Sequence, residues 1–237
     1  MIAVERLADV FVEVADTLVV GFDLIDFLHT LAQHAADVSG CAVGLVLADE
    51  DGRLHYMGAS DQSARDLEIL QLEQEEGPCL DCFSSGQAVV NTDLADATRR
   101  WPGFAPMAVE AGVLSVHAFP MRLRERVIGA MNVFGREAES LTHDEIRVIQ
   151  AMADVATISI IQEQAIARAE VLTEQLQLAL NNRIVIEQAK GAVARALSVS
   201  VDEAFELIRA RARRERTPLT ELAFELVNAP ATIERLR

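Results

Sequence analysis

Two basic residues, Arg183 and Lys190, stand seven positions apart in the last quarter of the chain, and Lys190 is its single lysine. In a helix, seven residues make almost two turns, so both cations leave the same face. Gly191 follows directly, at an interior helix position where glycine costs about 1 kcal/mol relative to alanine. A cationic face beside bare backbone suits a phosphate chain that comes close. The structural alternative is that Glu187 pairs with both cations as a solvated strip, and that Gly191 lets a neighbouring helix pack tightly.

The charge of the chain is divided unevenly. Residues 181–237 carry 10 Lys+Arg and 8 Asp+Glu, a net charge of +2, and the whole chain carries −16, which leaves −18 on residues 1–180. Because an acidic segment repels polyanions, any nucleic-acid binding is confined to the C-terminal quarter. Five arginines stand within eight residues of that quarter: Arg209, Arg211, Arg213, Arg214 and Arg216. On a helix, Arg209, Arg213 and Arg216 share one stripe.

The composition is that of a folded chain of about two domains, with 237 residues of which 51% are apolar. No apolar run approaches the roughly 18 residues of a membrane span. The first residues lack the basic flank and apolar core of a signal peptide, and three cysteines do not make a disulfide framework. We therefore expect a cytoplasmic protein with no membrane partner.

In the first two thirds of the chain, the hydrophobic pattern alternates between the helical and the strand period. Helices are predicted over 4–19, 22–38, 61–71, 79–85 and 104–111. Strands are predicted over 41–48, 54–58, 88–91, 113–123 and 127–134, with turns at 49–53 and 124–126. Two hairpins and several helices therefore make up this part.

A single long helix is predicted to follow. Thr142 and Glu145 have the spacing of a capping box at its start, and no glycine or proline interrupts it before Gly191. Within it, five apolar residues alternate by four and three positions, the period of a coiled coil: Ala165, Ala169, Leu172, Leu176 and Ala179. Because polar residues flank this seam, it predicts a homodimeric coiled coil. The alternative is that the seam packs back on the first domain.

The C-terminal part predicts a compact bundle of three helices. Ser200 and Glu203 form a second capping box, at the start of the middle helix. Thr217 before Pro218 predicts an N-cap followed by proline at the first position of the last helix. The last ten residues are predicted to fray.

The C-terminal segment resembles an ANTAR domain, the module named after the AmiR and NasR transcription antitermination regulators. The resemblance covers about residues 175–229 and rests on three stretches: Ala-Leu-x-x-Arg-x-x-Ile-x-x-Ala-Lys-Gly at 179–191, Asp-Glu-Ala-Phe-x-x-Ile-Arg at 202–209 and Thr-Pro-Leu-x-x-Leu-Ala at 217–223. Earlier segments resemble the GAF sensor domains of actinobacterial GAF–ANTAR proteins, among them Glu-Gly-Pro-Cys at 76–79, Arg-Trp-Pro-Gly-Phe at 100–104 and Val-Ile-Gly-Ala-Met-Asn-Val-Phe at 127–134.

The resemblance implies an α+β fold in three parts. A GAF sensor domain at 1–160, with an antiparallel sheet flanked by helices, is joined by a long coiled-coil helix at 161–180 to a three-helix ANTAR bundle at 181–237. It implies a regulator and not an enzyme. ANTAR proteins bind paired hairpins with six-base loops in nascent leader RNA and so prevent a terminator stem from forming. The expected partners are therefore leader-RNA hairpins and a second copy of the chain.

The family's basic positions fall on Arg183, Lys190 and Arg209, with Ala189 and Gly191 as small residues that allow close approach. RNA loops offer unstacked bases and phosphates that suit such side chains. Charge alone adds Arg213, Arg214 and Arg216 to this set. One departure is Gly-Ala-Val-Ala at 191–194, where family members often have a Leu-Met pair; this should change packing more than RNA contact.

The signal sensed by the GAF part stays open, since the resemblance allows cyclic nucleotides, small metabolites, haem, redox state or a purely structural role. Cys79 and Cys82 form a C-x-x-C motif at a predicted helix N-terminus, where the helix dipole lowers a thiol pKa and favours a reversible disulfide. The alternative is that both are small core residues. A zinc site would need further ligands, such as Cys41 and His117, although His117 in an apolar strand is expected to be a core histidine.

Three alternatives from other classes can be compared with RNA binding. Some GAF proteins reduce free methionine sulfoxide with three cysteines, the number found here. A phospho-relay receiver can also precede an ANTAR domain, but the first part lacks its alternating β/α pattern. The basic bundle could bind DNA instead of RNA.

Overall fold

The computed structural model describes residues 23–236. The helix predicted over 4–19 lies outside these residues. The chain divides between Gln164 and Ala165 into two compact units. Between residues 23 and 236, no helix is both long enough and apolar enough to cross a lipid bilayer.

The first unit is built on an antiparallel sheet of five strands. They are β1 (Ala42–Ala48), β2 (Leu54–Ala59), β3 (Val89–Asp93), β4 (Ser115–Leu123) and β5 (Arg126–Gly135). Their order across the sheet is β2-β1-β5-β4-β3, and each neighbouring pair is antiparallel. Both predicted hairpins are therefore confirmed, and the central β1, β4 and β5 are buried along most of their length.

The helices of this unit cover both faces of the sheet. They are α1 (Leu24–Ser39), α2 (Gln62–Gln74), α3 (Pro78–Ser85), α4 (Phe104–Glu110) and the first part of α5 (His143–Leu197), with a 3-10 helix at Ala97–Arg99. Because side chains alternate along a strand, β1 sends Leu45 into a core with α1 and α5, and Val46 into a second core with α2, α3 and α4. The predicted α+β class with a helix-flanked antiparallel sheet is confirmed.

Local sequence fixes the ends of these helices. The Asp23 carboxylate accepts hydrogen bonds from the N–H groups of Ile25 and Asp26, and Gly40 ends α1 with φ 66°, a left-handed conformation that glycine adopts without strain. At the start of α5, the Glu145 carboxylate accepts from the Thr142 N–H at 2.8 Å, and the Glu145 N–H donates to the Thr142 hydroxyl at 3.4 Å. The predicted capping box is therefore present, and α5 runs for 55 residues, through Gly191.

The second unit contains the end of α5, α6 (Val201–Glu215), α7 (Leu219–Asn228) and a 3-10 helix at Pro230–Leu236. Its core gathers Ala189 and Val193 of α5, Ile208 of α6 and Leu222 and Leu226 of α7. The Ser200–Glu203 capping box is present at the start of α6. This is the predicted bundle of three helices, closed by a fourth, short element.

Two predictions about the ends of this bundle are wrong. Pro218, and not Thr217, is the N-cap of α7, and no side chain caps that end. The tail does not fray within the described residues, because Ile233 and Leu236 are buried in the bundle core. Their contribution depends on tertiary packing, which the local composition of the tail does not reveal.

Candidate nucleic-acid interface

Lys190 is fixed against the surface of the bundle. Its Nζ lies 2.9 Å from both carboxylate oxygens of Glu187 and 5.4 Å from the centre of the Phe205 ring. Its side chain is 16% exposed, so the ammonium group is held in one place and still reaches solvent. The pairing of Glu187 predicted from its spacing is present for Lys190.

Arg183, almost two turns earlier on α5, is exposed. It makes no hydrogen bond or ion pair with any residue between 23 and 236. The planar guanidinium group carries five N–H donors, which are therefore all available to an external acceptor. The alternative of a strip in which Glu187 pairs with both cations is wrong for Arg183.

Gly191 lies on the surface with open space above its backbone. A Cβ placed on it would meet no atom of residues 23–236 within 4 Å, and the residue is exposed. The interpretation that glycine allows a neighbouring helix to pack tightly is therefore wrong within the described part of the chain. Gly191 therefore costs the helix about 1 kcal/mol relative to alanine. No packing contact among residues 23–236 requires a glycine at this position beside Lys190.

A row of arginines on α6 begins one turn after Phe205, the residue whose ring Lys190 approaches. Arg209 follows Phe205 by four residues, and Arg213 follows Arg209 by four, so all three lie along one side of the helix. Among residues 23–236, Arg209 is paired only with Glu206, at 3.5 Å, and it is exposed. Arg213 is exposed, and so are Arg214 and Arg216 near the C-terminal end of α6, where the helix dipole favours cations.

Arg211 differs from its four neighbours because it is buried. Its guanidinium group donates to Glu215 at 3.0 Å and to the Thr232 carbonyl at 3.2 Å, and lies 3.5 Å from Glu225. It therefore ties α6 to α7 and to the C-terminal 3-10 helix. Its distance of three residues from Ile208 is core spacing, and this signal could have separated it from the exposed arginines.

The first unit holds a buried carboxyl that the sequence analysis did not predict. Glu68 of α2 is fully buried, and its two oxygens accept from Asn132 at 2.7 Å and Gln71 at 3.1 Å. Burial raises the pKa of the Glu68 carboxyl to about 8. Glu68 shares the inner face of α2 with Ala64 and Leu67, so its position at core spacing was the available signal.

Cys79 and Cys82 are both fully buried. Cys79 does lie in the first turn of α3, but burial raises its pKa well above the ordinary value. Burial, reinforced by the Asp81 carboxylate, also raises the pKa of Cys82 to about 12. The predicted lowering of the thiol pKa is wrong, because desolvation outweighs the helix dipole. Cys41 packs on the core of the other sheet face, so the three cysteines do not form one site.

His117 is a hydrogen-bonded core histidine, as expected. Its Nδ1 accepts from the Asn91 N–H at 2.9 Å, so Nε2 carries the proton and donates to the Ser140 hydroxyl at 2.9 Å. Burial lowers its pKa to about 4. Both ring nitrogens are therefore occupied, and no group of three or more His, Cys, Asp or Glu within residues 23–236 is placed to hold a metal ion.

The first unit is an α+β domain, and α5 leads from it into a small bundle in which residues 181–237 carry a net charge of +2. The family model of the GAF domain matches residues 23–160, and that of the ANTAR domain matches residues 174–227. The first match spans more than half of the chain, so the chain belongs to the GAF domain family. Since ANTAR is an RNA-binding antitermination module and GAF a sensor domain, the architecture is that of a GAF–ANTAR regulator.

The solved structures similar to this chain include GAF domains from two bacterial phosphotransferases. The GAF domain of a phosphoenolpyruvate-protein phosphotransferase from Coxiella burnetii is 15% identical, with a TM-score of 0.54, and the match covers 69% of this chain and 98% of that one. The corresponding domain from Acinetobacter is 14% identical, with a TM-score of 0.52 and coverage of 69% and 97%.

The free methionine-R-sulfoxide reductase from Neisseria meningitidis, solved with its substrate, is 16% identical, with a TM-score of 0.51 and coverage of 70% and 96%. At these identities the likeness shows the fold alone. No curated protein matches the chain.

Proposed function

We propose that this protein is a transcription antitermination regulator of the type found in actinobacteria, whose paired ANTAR domains bind two hexaloop hairpins of a nascent leader RNA in the cytoplasm. Holding both hairpins prevents the terminator stem from forming. The GAF domain at 1–160 senses the signal, the helix at 161–180 pairs the two chains, and the bundle at 181–237 binds the RNA.

The observation that carries this proposal is the surface around Gly191. A fixed ammonium group and an uncommitted guanidinium group lie on one face of α5, and an uncovered backbone lies on the adjacent side. Hairpin loops present phosphates and splayed bases that such a face can contact closely. Arg209 and Arg213 extend it along α6, and Arg214 and Arg216 add positive charge near its end.

Two hairpins require two such faces. The residues of the predicted seam are all exposed in the single chain, and Leu172 and Leu176 are 56% and 57% exposed. Exposed leucines at heptad spacing favour pairing with a second copy. Once one hairpin is bound, the second binding event becomes intramolecular, so the pair binds more tightly than either hairpin alone.

Control by the sensor would act through α5. This helix contributes Ile149 and Met152 to the core of the first unit and Ala189 and Val193 to the core of the second. A ligand that repacks the first core would change the geometry or register of the helix and thereby set whether both bundles engage one transcript.

A gel-shift titration with single and paired hairpins tests the proposal. We expect the pair to bind at least about a hundredfold more tightly than a single hairpin, which is the lower end of the range of avidity effects. Duplex DNA of matched length should compete poorly. Equal affinity for one and two hairpins contradicts the avidity mechanism, and equal competition by DNA contradicts the choice of RNA.

A further inference from the structure

A buried polar cluster connects α2, α3 and β5 inside the first unit. Its members are Glu68 and Gln71 of α2, Cys79 of α3 and Asn132 of β5, and all four residues are fully buried. The side-chain amide of Asn132 donates to Glu68 Oε1 at 2.7 Å, and that of Gln71 donates to Glu68 Oε2 at 3.1 Å. The Cys79 N–H in turn donates to Gln71 Oε1 at 3.0 Å. The cluster therefore ties the first turn of α3 to the carboxyl of α2.

Gly44 of β1 provides the space for the Glu68 carboxyl. A Cβ placed on Gly44 would overlap the Glu68 side chain. Glycine inside a strand weakens the strand, and a buried carboxyl without a cation is costly. Because these two unfavourable features occur at one place, we infer that the carboxyl does more than fill the core.

No cation faces the Glu68 carboxyl among residues 23–236. Strand β1 carries no titratable residue, and α3 contributes Cys79, whose pKa the Glu68 charge helps to raise, and the buried Cys82. The other titratable residues of β2, α3, α4 and β5 reach the surface: His55, Tyr56, Asp81, Glu110 and Arg126. An ionised Glu68 is therefore uncompensated, and burial raises the pKa of its carboxyl to about 8.

The proton on Glu68 determines the orientation of the Asn132 amide. A neutral carboxyl has one O–H group, which needs an acceptor. Asn132 Oδ1 is a buried oxygen that lacks a hydrogen-bond partner within residues 23–236. A half turn of the amide exchanges its oxygen and nitrogen and places Oδ1 at the position 2.7 Å from Glu68 Oε1, an ordinary O–H···O distance. Gln71 cannot provide this acceptor without releasing the Cys79 N–H.

We propose that Glu68 is a proton-dependent switch at the corner between α2 and α3, closed while its hydroxyl group donates to Asn132 and opened by loss of that proton. The signal that this switch reports is the proton concentration, and the corner opens as pH rises. Loss of the proton leaves a buried carboxylate without a cation, so water must reach it. The inference concerns the first unit alone and does not depend on RNA binding.

The first turn of α3 is the part of this corner that can admit water. Helix α3 has eight residues, and the turn before it contains Gly77 at φ 135°, a left-handed conformation that favours glycine. The Asp81 side chain is 40% exposed, so solvent already meets this turn on its outer side. Opening here brings the thiol of Cys79, and that of Cys82 one turn later, into contact with solvent.

Reaction of Cys79 and Cys82 with a disulfide reagent such as dithionitrobenzoate measures this opening in the full chain. Only the thiolate reacts, so the rate for an exposed thiol rises about tenfold per pH unit below its pKa. Opening that releases the Glu68 proton adds a second factor of about ten per pH unit. At low reagent concentration, we therefore expect about a hundredfold per pH unit between about pH 6 and 7.5 for the wild type, and about tenfold for Glu68→Gln.

Val133→Cys distinguishes local opening from unfolding of the whole unit. Val133 follows Asn132 on β5 but is fully buried in the core on the other face of the sheet. Mass spectrometry of peptides gives the rate at each cysteine separately. The thiol introduced by Val133→Cys should react at least about tenfold more slowly than Cys79, because local opening of α3 leaves that core covered.

The ¹³C chemical shift of the Glu68 carboxyl in the wild type follows the same proton without any substitution, and its midpoint should lie at about 8. Three results would each overturn the switch. They are equal pH dependence of Cys79 labelling in the wild type and Glu68→Gln, a Glu68 midpoint at the ordinary value of 4.5, and labelling of the Val133→Cys thiol as fast as that of Cys79.

Discussion

The Nζ of Lys190 lies 2.9 Å from both carboxylate oxygens of Glu187, one turn earlier on α5. This carboxylate occupies the donors that a phosphate would use, and it adds a negative charge to the proposed RNA face. It also neutralises Lys190 when no RNA is bound, which leaves Arg183 as the uncompensated cation of that face. Binding of RNA should therefore exchange a carboxylate for a phosphate at Lys190.

Replacing Glu187 with glutamine should strengthen hairpin binding. The substitution removes a competing charged acceptor and a repelling charge, and a pair at the surface is worth about 0.2–1 kcal/mol, so we expect affinity to rise roughly 1.4- to fivefold. Fluorescence anisotropy at low salt measures it. Glu221→Gln, an exposed acid on α7, is the control. Weaker binding by Glu187→Gln would mean that the carboxylate serves to position Lys190.

Gly191→Ala should stabilise the bundle and weaken RNA binding at the same time. The methyl group meets no atom of the described residues within 4 Å, and alanine favours a helix by about 1 kcal/mol over glycine. An RNA backbone in close contact would have to move away, at a loss of about tenfold in affinity.

Asn181→Ala is the matched control, since Asn181 is an exposed residue of the same helix; it should not weaken binding. Thermal unfolding and anisotropy on the same samples give both quantities. A stabilised Gly191→Ala protein with full RNA affinity would show that RNA does not approach this backbone.

Substituting Arg211 should lower the stability of the bundle, whereas substituting Arg213 should lower its affinity for RNA. Arg211→Met leaves the Thr232 carbonyl and two acids without their partner, so the free energy of unfolding of the bundle should fall by about 2–3 kcal/mol. Arg213→Met should change it by less than about 0.5 kcal/mol and yet reduce hairpin affinity. Urea titration followed by circular dichroism, together with anisotropy, checks both. If Arg213→Met lowered the stability and left hairpin affinity unchanged, Arg213 would be excluded from the interface.

Glu68 should make the stability of the first unit fall as pH rises. The folded carboxyl keeps its proton up to a pKa of about 8, against an ordinary value of 4.5, so between these values unfolding releases a proton. The free energy of unfolding should therefore fall by about 1.4 kcal/mol per pH unit in this window and level off above it.

Glu68→Gln removes this titration, so its stability relative to the wild type should grow from pH 5.5 to pH 8. Urea unfolding at several pH values measures the difference. Parallel curves for the two proteins would show that the Glu68 carboxyl has an ordinary pKa in the folded state.

Much of the fold follows from local patterns, and the failures have a common physical cause. The two hairpins, the Thr142 capping box and the inner face of each bundle helix depend on periodicity and on turn or cap residues, which are visible in the sequence. The pKa of Cys79 depends on how completely the second core covers it, which local sequence does not state. The order of the tail depends on Ile233 reaching a core made by residues far along the chain.

The candidate interface was also predictable in part from local patterns and in part only from tertiary contacts. Spacing alone places Arg183 and Lys190 on one face, and the five neighbouring arginines stand out by density. Tertiary contacts then remove Arg211 from the exposed set and bring Phe205 of α6 to Lys190. The open space beside Gly191 depends on which parts of the chain do not pack there, and only the structure shows this.

The most direct test of the RNA interface is paired-hairpin binding by the double variant Arg183→Ala, Lys190→Ala. Its thermal unfolding should fall only slightly below that of the wild type, because Arg183 is exposed and Lys190 loses one ion pair and its contact with Phe205. We predict that binding of the paired hairpins is lost at all protein concentrations at which the wild type saturates. Wild-type affinity in a folded double variant would contradict the assignment of this face to RNA.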